Sequence, residues 1–328
     1  MTSARRQRTF SLLAAAAGLA LFVYAIRRAG LQAILDGIGR VGWGLAPIMA
    51  LGGIRFAIRA ECWRLCVPGQ GALTFSHAFV AFLAGDAVGS VTPLGLLASE
   101  PTKVLLTRHH LATRESIASL TLENLIYSVS VLAVIAVGVG LLLTTAVVPL
   151  GVEEAAVGFI LLLALAIAAV LVLLRRRASL ASRTAGLGWL APLVAVAEEV
   201  SAFSRQQPGR LWRVFALDLA YHAVAVLEVY LTLGWLMGDA RPTLVTALIF
   251  ETLNRVVTIA FKFVPFRVGV DEALNGALAP LLTVDPVSGV ALAVVRKVRS
   301  LFWAGVGLIA IAMHPARGGA SAPDRSVI

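Results

Sequence analysis

V-T-P-L-G-L-L-A-S-E-P-T-K, Val91 to Lys103, closes an apolar run that would otherwise pass for a membrane-crossing helix. Proline fixes φ and lacks an N–H, glycine disfavours helix, and a carboxylate is costly in hydrocarbon. The stretch therefore reads as a helix that stops and turns instead of crossing. It raises the question of whether Glu100 belongs to a surface or to a working cavity.

The composition around it restricts the class. Of 328 residues, 59% are hydrophobic and 14% charged, and the mean hydropathy is +0.88. Apolar stretches fall at 9–26, 41–60, 76–97, 113–147, 155–174, 211–237, 243–266 and 287–313. Several approach the roughly 20 residues a spanning helix needs. Only helices and closed barrels satisfy their backbone in lipid, and these runs lack the alternation of barrel strands. The expectation is an all-α polytopic membrane protein with one transmembrane domain over residues 1–314.

The first run has a basic flank (Arg5, Arg6, Arg8) but no small-residue cleavage site before Arg27 and Arg28, so it reads as a retained span. Between 178 and 208, Trp189, Leu193, Val196, Val200 and Phe203 recur at helical spacing. That pattern fits an amphipathic connector, either on the membrane surface or in the cytoplasm. Residues 315–328 have the composition of a disordered tail.

The opening stretch has a counterpart in F-K-F-V-P-F-R-V-G-V-D-E, Phe261 to Glu272. At one common offset Pro93 falls on Pro265 and Glu100 on Glu272, so both read P-x(6)-E. One residue further, Glu123 matches Arg296. Each break precedes a short apolar helix, a polar hinge and a long span, giving repeat-like elements at 76–147 and 243–313. If both broken segments cross, there are eight spans and the repeats are parallel. If both are re-entrant, six full spans remain and the repeat is inverted.

The positive-inside rule favours the second topology. It places Arg5, Arg6, Arg8, Arg64, Arg108, Arg114 and the Arg175 to Arg177 run inside, and Glu153 and Glu154 outside, with Arg27, Arg28 and Arg40 against the rule. Both termini are then cytoplasmic, in a bacterial-type inner membrane.

Helix rise, at about 1.5 Å per residue, puts Glu123 and Arg296 near the bilayer midplane, with Lys297 and Arg299 beside Arg296. Asp86, Asp218, His222, Glu228, Glu251 and Arg255 are further intramembrane polar groups. Asp218 with His222 and Glu251 with Arg255 share faces at i,i+4 and are expected to pair and lock the bundle. Glu100 and Glu272 follow helix breaks, where backbone must be buried in protein or line a wet cavity. Half-helix N-termini there favour an anionic group, to which Thr92, Ser99, Lys103 and Arg267 add donors.

Other classes find little support. The net charge of +10 is scattered over span ends, so anionic lipid and not nucleic acid is the expected partner. The chain has no G-x-x-x-x-G-K-[ST], H-E-x-x-H, G-x-S-x-G or D-D-x-x-D motif. His109 and His110 are adjacent and diverge on a helix, and Cys62 and Cys66 read as small packing residues. No metal or other cofactor is expected.

The broken helix with P-x(6)-E, the second P-x-x-x-G-V-x-E and the basic residues midway along the last span resemble the lysylphosphatidylglycerol synthase transmembrane (flippase-like domain) family. The resemblance covers roughly residues 10 to 313. The second half, E-T-L-N-R-V-V-T-I-A-F-K-F-V-P-F-R-V-G-V-D-E-A-L and D-P-V-S-G-V-A-L-A-V-V-R-K-V-R, is similar to the hopanoid-biosynthesis-associated branch. It departs from that branch at Phe266, Arg267, Ala273 and Leu274, where glycines are common.

The resemblance implies an inner-membrane protein that flips or otherwise handles amphiphilic lipids. A membrane-embedded lipid-modifying enzyme and a non-transporting partner of lipid-biosynthesis enzymes are the alternatives, and a homo-oligomer stays open. The soluble aminoacyl-transfer domain of the family's namesakes is not among these residues, so lipid lysylation is not expected of this chain. The matching positions are Pro93, Glu100, Pro265, Gly269, Glu272, Arg296 and Lys297. Together with Asp86, Thr92, Lys103, Glu123 and Arg267 they make up the expected translocation cavity.

Overall fold

The computed structural model describes residues 39–69, 71–92, 95–145, 205–238, 240–261, 265–267 and 269–313, with isolated positions at 32, between 151 and 168, and at 202 and 203. The run at 9–26, most of the connector over 178–208, Pro93 and the tail 315–328 lie outside the described residues. Among those described, every regular element is helical.

The helices are α1 (Leu45–Cys66), α2 (Phe75–Val91), α3 (Gly95–Thr107), α4 (Thr113–Thr145), α5 (Pro208–Met237), α6 (Leu244–Ala260), α7 (Val270–Leu278) and α8 (Pro286–Met313). The helical segments Gly39–Cys66, Thr113–Thr144 and Pro208–Met237 are each long and apolar enough to cross a membrane. Helix α8 has comparable length, 28 residues, but carries Arg296, Lys297 and Arg299 at its centre.

Burial is inverted relative to a water-soluble bundle. Trp212 (72% exposed), Val137 (56%) and Ile309 (60%) face outward, while Glu123 and Asp218 are 0% exposed. An apolar solvent outside and a polar interior produce this pattern.

The opening stretch folds as a hairpin. Thr74 caps α2 by accepting from the His77 N–H at 3.4 Å, and α3 packs back along α2 after the break. The close approach rests on glycine: a Cβ on Gly95 would lie 2.3 Å from the Gly89 carbonyl oxygen, and one on Gly85 would meet the Lys103 side chain at 2.7 Å. Pro101 does not end α3, which continues through it to Thr107. The hairpin leaves where it began, since His110 stacks on His77 with ring centroids 3.9 Å apart.

The second element repeats the plan. Helix α6 has the same 17 residues as α2 and a threonine cap, Thr243, which accepts from the Thr246 N–H at 3.0 Å. After the break, α7 packs against α8 and, less extensively, α6. The turn between them passes through positive φ at Phe266 (49°), Arg267 (48°) and Gly269 (85°). The first two are strained for residues with a side chain.

Each hairpin base sits in its own apolar cluster. The first joins Trp63 of α1, Val67 just after it, Leu73, Ala78, Leu111 and Leu120, with Val104 and Leu106 of α3 against it. The second joins Leu233 of α5, Ala247 and Phe250 of α6, Ala279, Leu282 and Leu292, with Leu141 and Leu142 of α4 against it. Helix α4 begins at the first cluster and ends at the second. Its 33 residues span about 50 Å, so the two clusters lie far apart along the bundle. The hairpin tips meet, the 265–267 turn packing on α2.

Reciprocal packing joins the halves: α8 lies on α2 and α6 on α4. A Cβ on Gly307 would meet the Leu83 carbonyl oxygen at 2.3 Å, and one on Gly138 would meet Thr252 Oγ1 at 1.8 Å. Thr74 to Thr243, Leu83 to Thr252 and Gly138 to Gly307 are all steps of 169 residues. The helices thus correspond at a shorter offset than the 172 of Pro93 to Pro265 and Glu100 to Glu272, and the second break reaches its proline three residues later than the first. On this register Arg296 corresponds to Tyr127 and not to Glu123. Those alternatives differ by about one helical turn, which leaves the helix face unchanged.

Candidate functional site

Where the hairpin tips meet, a cavity of about 350 Å³ is lined by residues of all eight helices and the 265–267 turn. Its wall includes eight basic side chains, Arg55, Arg59, Lys103, Arg255, Arg267, Arg296, Lys297 and Arg299, and three carboxylates, Asp86, Glu100 and Asp271. Of the expected site residues, Asp86, Thr92, Glu100, Lys103, Arg267, Arg296 and Lys297 line it. Glu123, Gly269 and Glu272 do not. Pro265 opens the 265–267 turn.

The reasons are local. Thr92 ends α2 with its hydroxyl donating to the Val88 carbonyl at 2.8 Å. Glu100 accepts from Lys103 one turn on at 2.8 Å, leaving its buried Oε2 without a partner. Lys103 also lies over the Phe82 ring, 4.1 Å from the centroid. Glu272 is turned from the cavity by two partners: it accepts from the Gly269 N–H at 2.9 Å, closing the N-terminus of α7, and from Lys297. Arg267 donates to Asp271 at 3.1 Å.

Three charged residues of the wall, Arg55, Arg59 and Asp271, are ones that sequence reasoning passed over. Arg55 and Arg59 stand at i,i+4 on α1, inside the apolar run 41–60. Arg59 pairs with Glu123 at 2.8 Å and Asp218 at 3.6 Å, and its guanidinium lies 3.8 Å from the Tyr127 ring centroid. Glu123 is thereby held behind Arg59. Arg55 donates to Glu228 at 3.2 Å, and Arg299 donates to the same oxygen.

Glu251 accepts from Arg255, as its i,i+4 spacing predicts, and also from Arg296 at 3.1 Å. Tyr221 joins the two groups, its hydroxyl accepting from Arg55 at 2.8 Å and from Arg255 at 3.5 Å. The expected Asp218–His222 pair is not formed. Asp218 turns to Arg59 and accepts from the Cys62 thiol at 3.7 Å, while His222 shares a hydrogen bond with Ser130 at 3.1 Å. A full guanidinium charge from another helix outcompetes a same-helix imidazole.

A groove of about 880 Å³ runs beside the cavity between α3, α4 and α6, walled by Val104, Leu105, Ile117, Leu120, Val131 and Ile259. The two share Glu100, Asn124, Tyr127, Arg255 and Thr258. A cationic chamber therefore adjoins an apolar groove along a shared polar wall, a shape suited to an amphiphile. Among the described residues no group of three or more His, Cys, Asp or Glu side chains could hold a metal, and Cys62 and Cys66 are buried free thiols.

No curated protein and no solved structure matches the chain. The model of the lysylphosphatidylglycerol synthase TM region matches residues 11–307. That match takes in both hairpins and every residue of the cavity wall, and the chain belongs to the lysylphosphatidylglycerol synthase TM region family, a membrane family linked to lipid handling.

Proposed function

We propose that the protein is a lipid transporter that moves an amphiphilic lipid across or within the inner membrane. The observation that carries this reading is that the cationic cavity and the apolar groove lie side by side and share Tyr127, Arg255 and Thr258 in their walls. A headgroup occupies the first while a chain stays in the second, so neither half of an amphiphile is placed in the wrong solvent.

In this reading α2–α3 and α6–α7 are re-entrant hairpins in an inverted repeat, entering from opposite faces and meeting at midplane. The end bearing Arg64, Arg108 and Arg114 faces the cytoplasm, in keeping with the positive-inside rule. Alternating access comes from rocking of the two elements about the Gly138–Thr252 and Gly307–Leu83 contacts. Glu100 and Glu272 bias it, because protonation of either frees a lysine, Lys103 or Lys297, toward the headgroup. The departures at Phe266, Arg267, Ala273 and Leu274 leave a hopanoid as one candidate cargo beside phospholipid-like ones.

The test is translocation of a fluorescent phospholipid in proteoliposomes, read by quenching from outside. Glu100→Gln and Glu272→Gln are each expected to slow it by about tenfold or more, the scale of one lost charge-assisted contact. If both variants translocate at the wild-type rate, the carboxylate mechanism is wrong. If the wild-type protein moves no lipid while a candidate lipid changes mass, the enzyme reading replaces transport.

A further inference from the structure

Charge within the cavity is not evenly matched. Lys103 with Glu100, Lys297 with Glu272 and Arg267 with Asp271 are one-to-one pairs. Arg59 has two carboxylates, Glu123 and Asp218. The remaining two groups run the other way, with two guanidiniums on one carboxylate: Arg55 and Arg299 on Glu228, Arg255 and Arg296 on Glu251. Each carries one excess positive charge. The four arginines line the cavity, whereas Glu228 and Glu251 do not.

The two groups differ in what faces them. Asp86 lies in the field of Arg299, Arg55 and Lys103, so it offsets the first. Of the lining carboxylates Asp271 bears on Arg296 of the second group, but it is already paired with Arg267, as Glu100 is with Lys103. One donor of the first group, Arg55 Nε, lacks a partner, and the second group has two such donors. Arg255 and Arg296 are 5% and 8% exposed, yet Arg255 Nε and Arg296 Nη1 have no hydrogen-bond partner. Buried donors of a charged group left unmatched are costly and are normally satisfied by something. Arg255 also stands in the wall shared by cavity and groove.

We propose that Arg255 and Arg296 seat the phosphate of an anionic lipid, whose chain leaves past Tyr127 and Thr258 into the groove between Val131 and Ile259. This rests on the lipid-handling reading and deepens it by naming the charged group of the ligand. A phosphate offers several acceptor oxygens to forked guanidinium donors and supplies the missing negative charge. The same chemistry could come from free phosphate, but a free ion would make no use of the apolar groove beside Arg255.

Binding measured on the full chain in detergent, with no translocation required, tests it separately from transport. The probes are phosphatidic acid, phosphatidylcholine, diacylglycerol and inorganic phosphate. Phosphatidic acid is expected to bind about tenfold or more tighter than the other three, because only it combines an uncompensated phosphate with a chain. Arg296→Gln leaves Arg255 and Glu251 as a neutral pair, so the fold is expected to survive. That variant is expected to lose about tenfold in phosphatidic acid affinity with little change for diacylglycerol. Arg296→Lys, which keeps the charge but not the fork, is expected to fall between and serves if the glutamine variant does not fold.

Equal binding of phosphatidic acid and diacylglycerol, or wild-type phosphatidic acid affinity in both Arg296 variants, overturns the proposal. Inorganic phosphate binding as tightly as phosphatidic acid overturns the lipid source. Transport of some other lipid alongside any of these results leaves the transport reading standing while this one falls.

Discussion

Glu251 shows how one residue organises the site. Its carboxylate, 1% exposed, is the shared anion of Arg255 and Arg296, so its removal strands two buried cations. Breaking such a group by deleting the common partner is expected to cost about 3–5 kcal/mol, and Glu251→Ala should show it as a large drop in the unfolding midpoint in detergent. Tyr221→Phe is a milder change. It takes one acceptor from Arg55 and Arg255 and is expected to cost about 1–3 kcal/mol, read in the same assay.

At this scale the sequence was partly legible. Asp86, Glu100, Lys103, Arg267, Arg296 and Lys297 stand out because ionisable groups in apolar runs are rarely idle. Arg55 and Arg59 carried the same signal at i,i+4 in the 41–60 run. Tyr127 and Tyr221 carried none, because a tyrosine in a span reads as an interfacial anchor until its hydroxyl is seen between arginines. Which carboxylate pairs with which arginine depends on helices far apart in sequence, as Glu228 with Arg55 and Asp218 with Arg59 show.

Among the elements, the first hairpin depends on backbone-to-backbone approach at Gly89 and Gly95. Gly95→Ala places a methyl 2.3 Å from a carbonyl oxygen, where no side chain can give way. The expected cost is about 1–3 kcal/mol, with faster hydrogen exchange across α3. Gly140→Ala, with nothing within 4 Å of its added Cβ, is the control and is expected to be neutral or slightly stabilising.

The hairpin base carries a pH dependence. Burial, and then the imidazoles of His77 and His109, hold His110 below its ordinary value of 6.5. The unfolded base therefore binds protons more readily than the folded one. Its contribution is full above about pH 6.5 and is lost as pH falls below it. Hydrogen exchange at residues 107–112 should accelerate on acidification through that window, and His110→Asn should flatten the response. The break itself was legible from Pro93 and Gly95, but Pro101 was not. Pro101 is the seventh residue of α3, so its missing N–H forfeits one bond to the carbonyl four residues back, yet the helix continues through it.

For the molecule as a whole, α4 sets the geometry by carrying the chain from one hairpin base to the other. If the hairpins are re-entrant and inverted, single cysteines in a Cys62→Ala, Cys66→Ala background will label by base. Ala72→Cys and Arg108→Cys are expected to react with an impermeant maleimide from one face of the membrane, and Arg241→Cys from the other. Reaction of Ala72→Cys and Arg108→Cys from opposite faces would make α2–α3 a crossing.

The sequence by itself determined that this is a helical membrane protein, where its spanning runs lie, and that two of them break in a matched way. Those are local properties: apolar length, the missing N–H of proline, and the cost of charge in hydrocarbon act within a few turns. Only the tertiary structure decided that the 265–267 turn packs on α2, that the glycine contacts of the two halves recur at 169 residues and not 172, and that α1 supplies two of the cavity's arginines. Each of these turns on contacts between segments many residues apart, where a helical period of 3.6 leaves the register ambiguous by a turn and buried charge goes to whichever partner packing brings nearest.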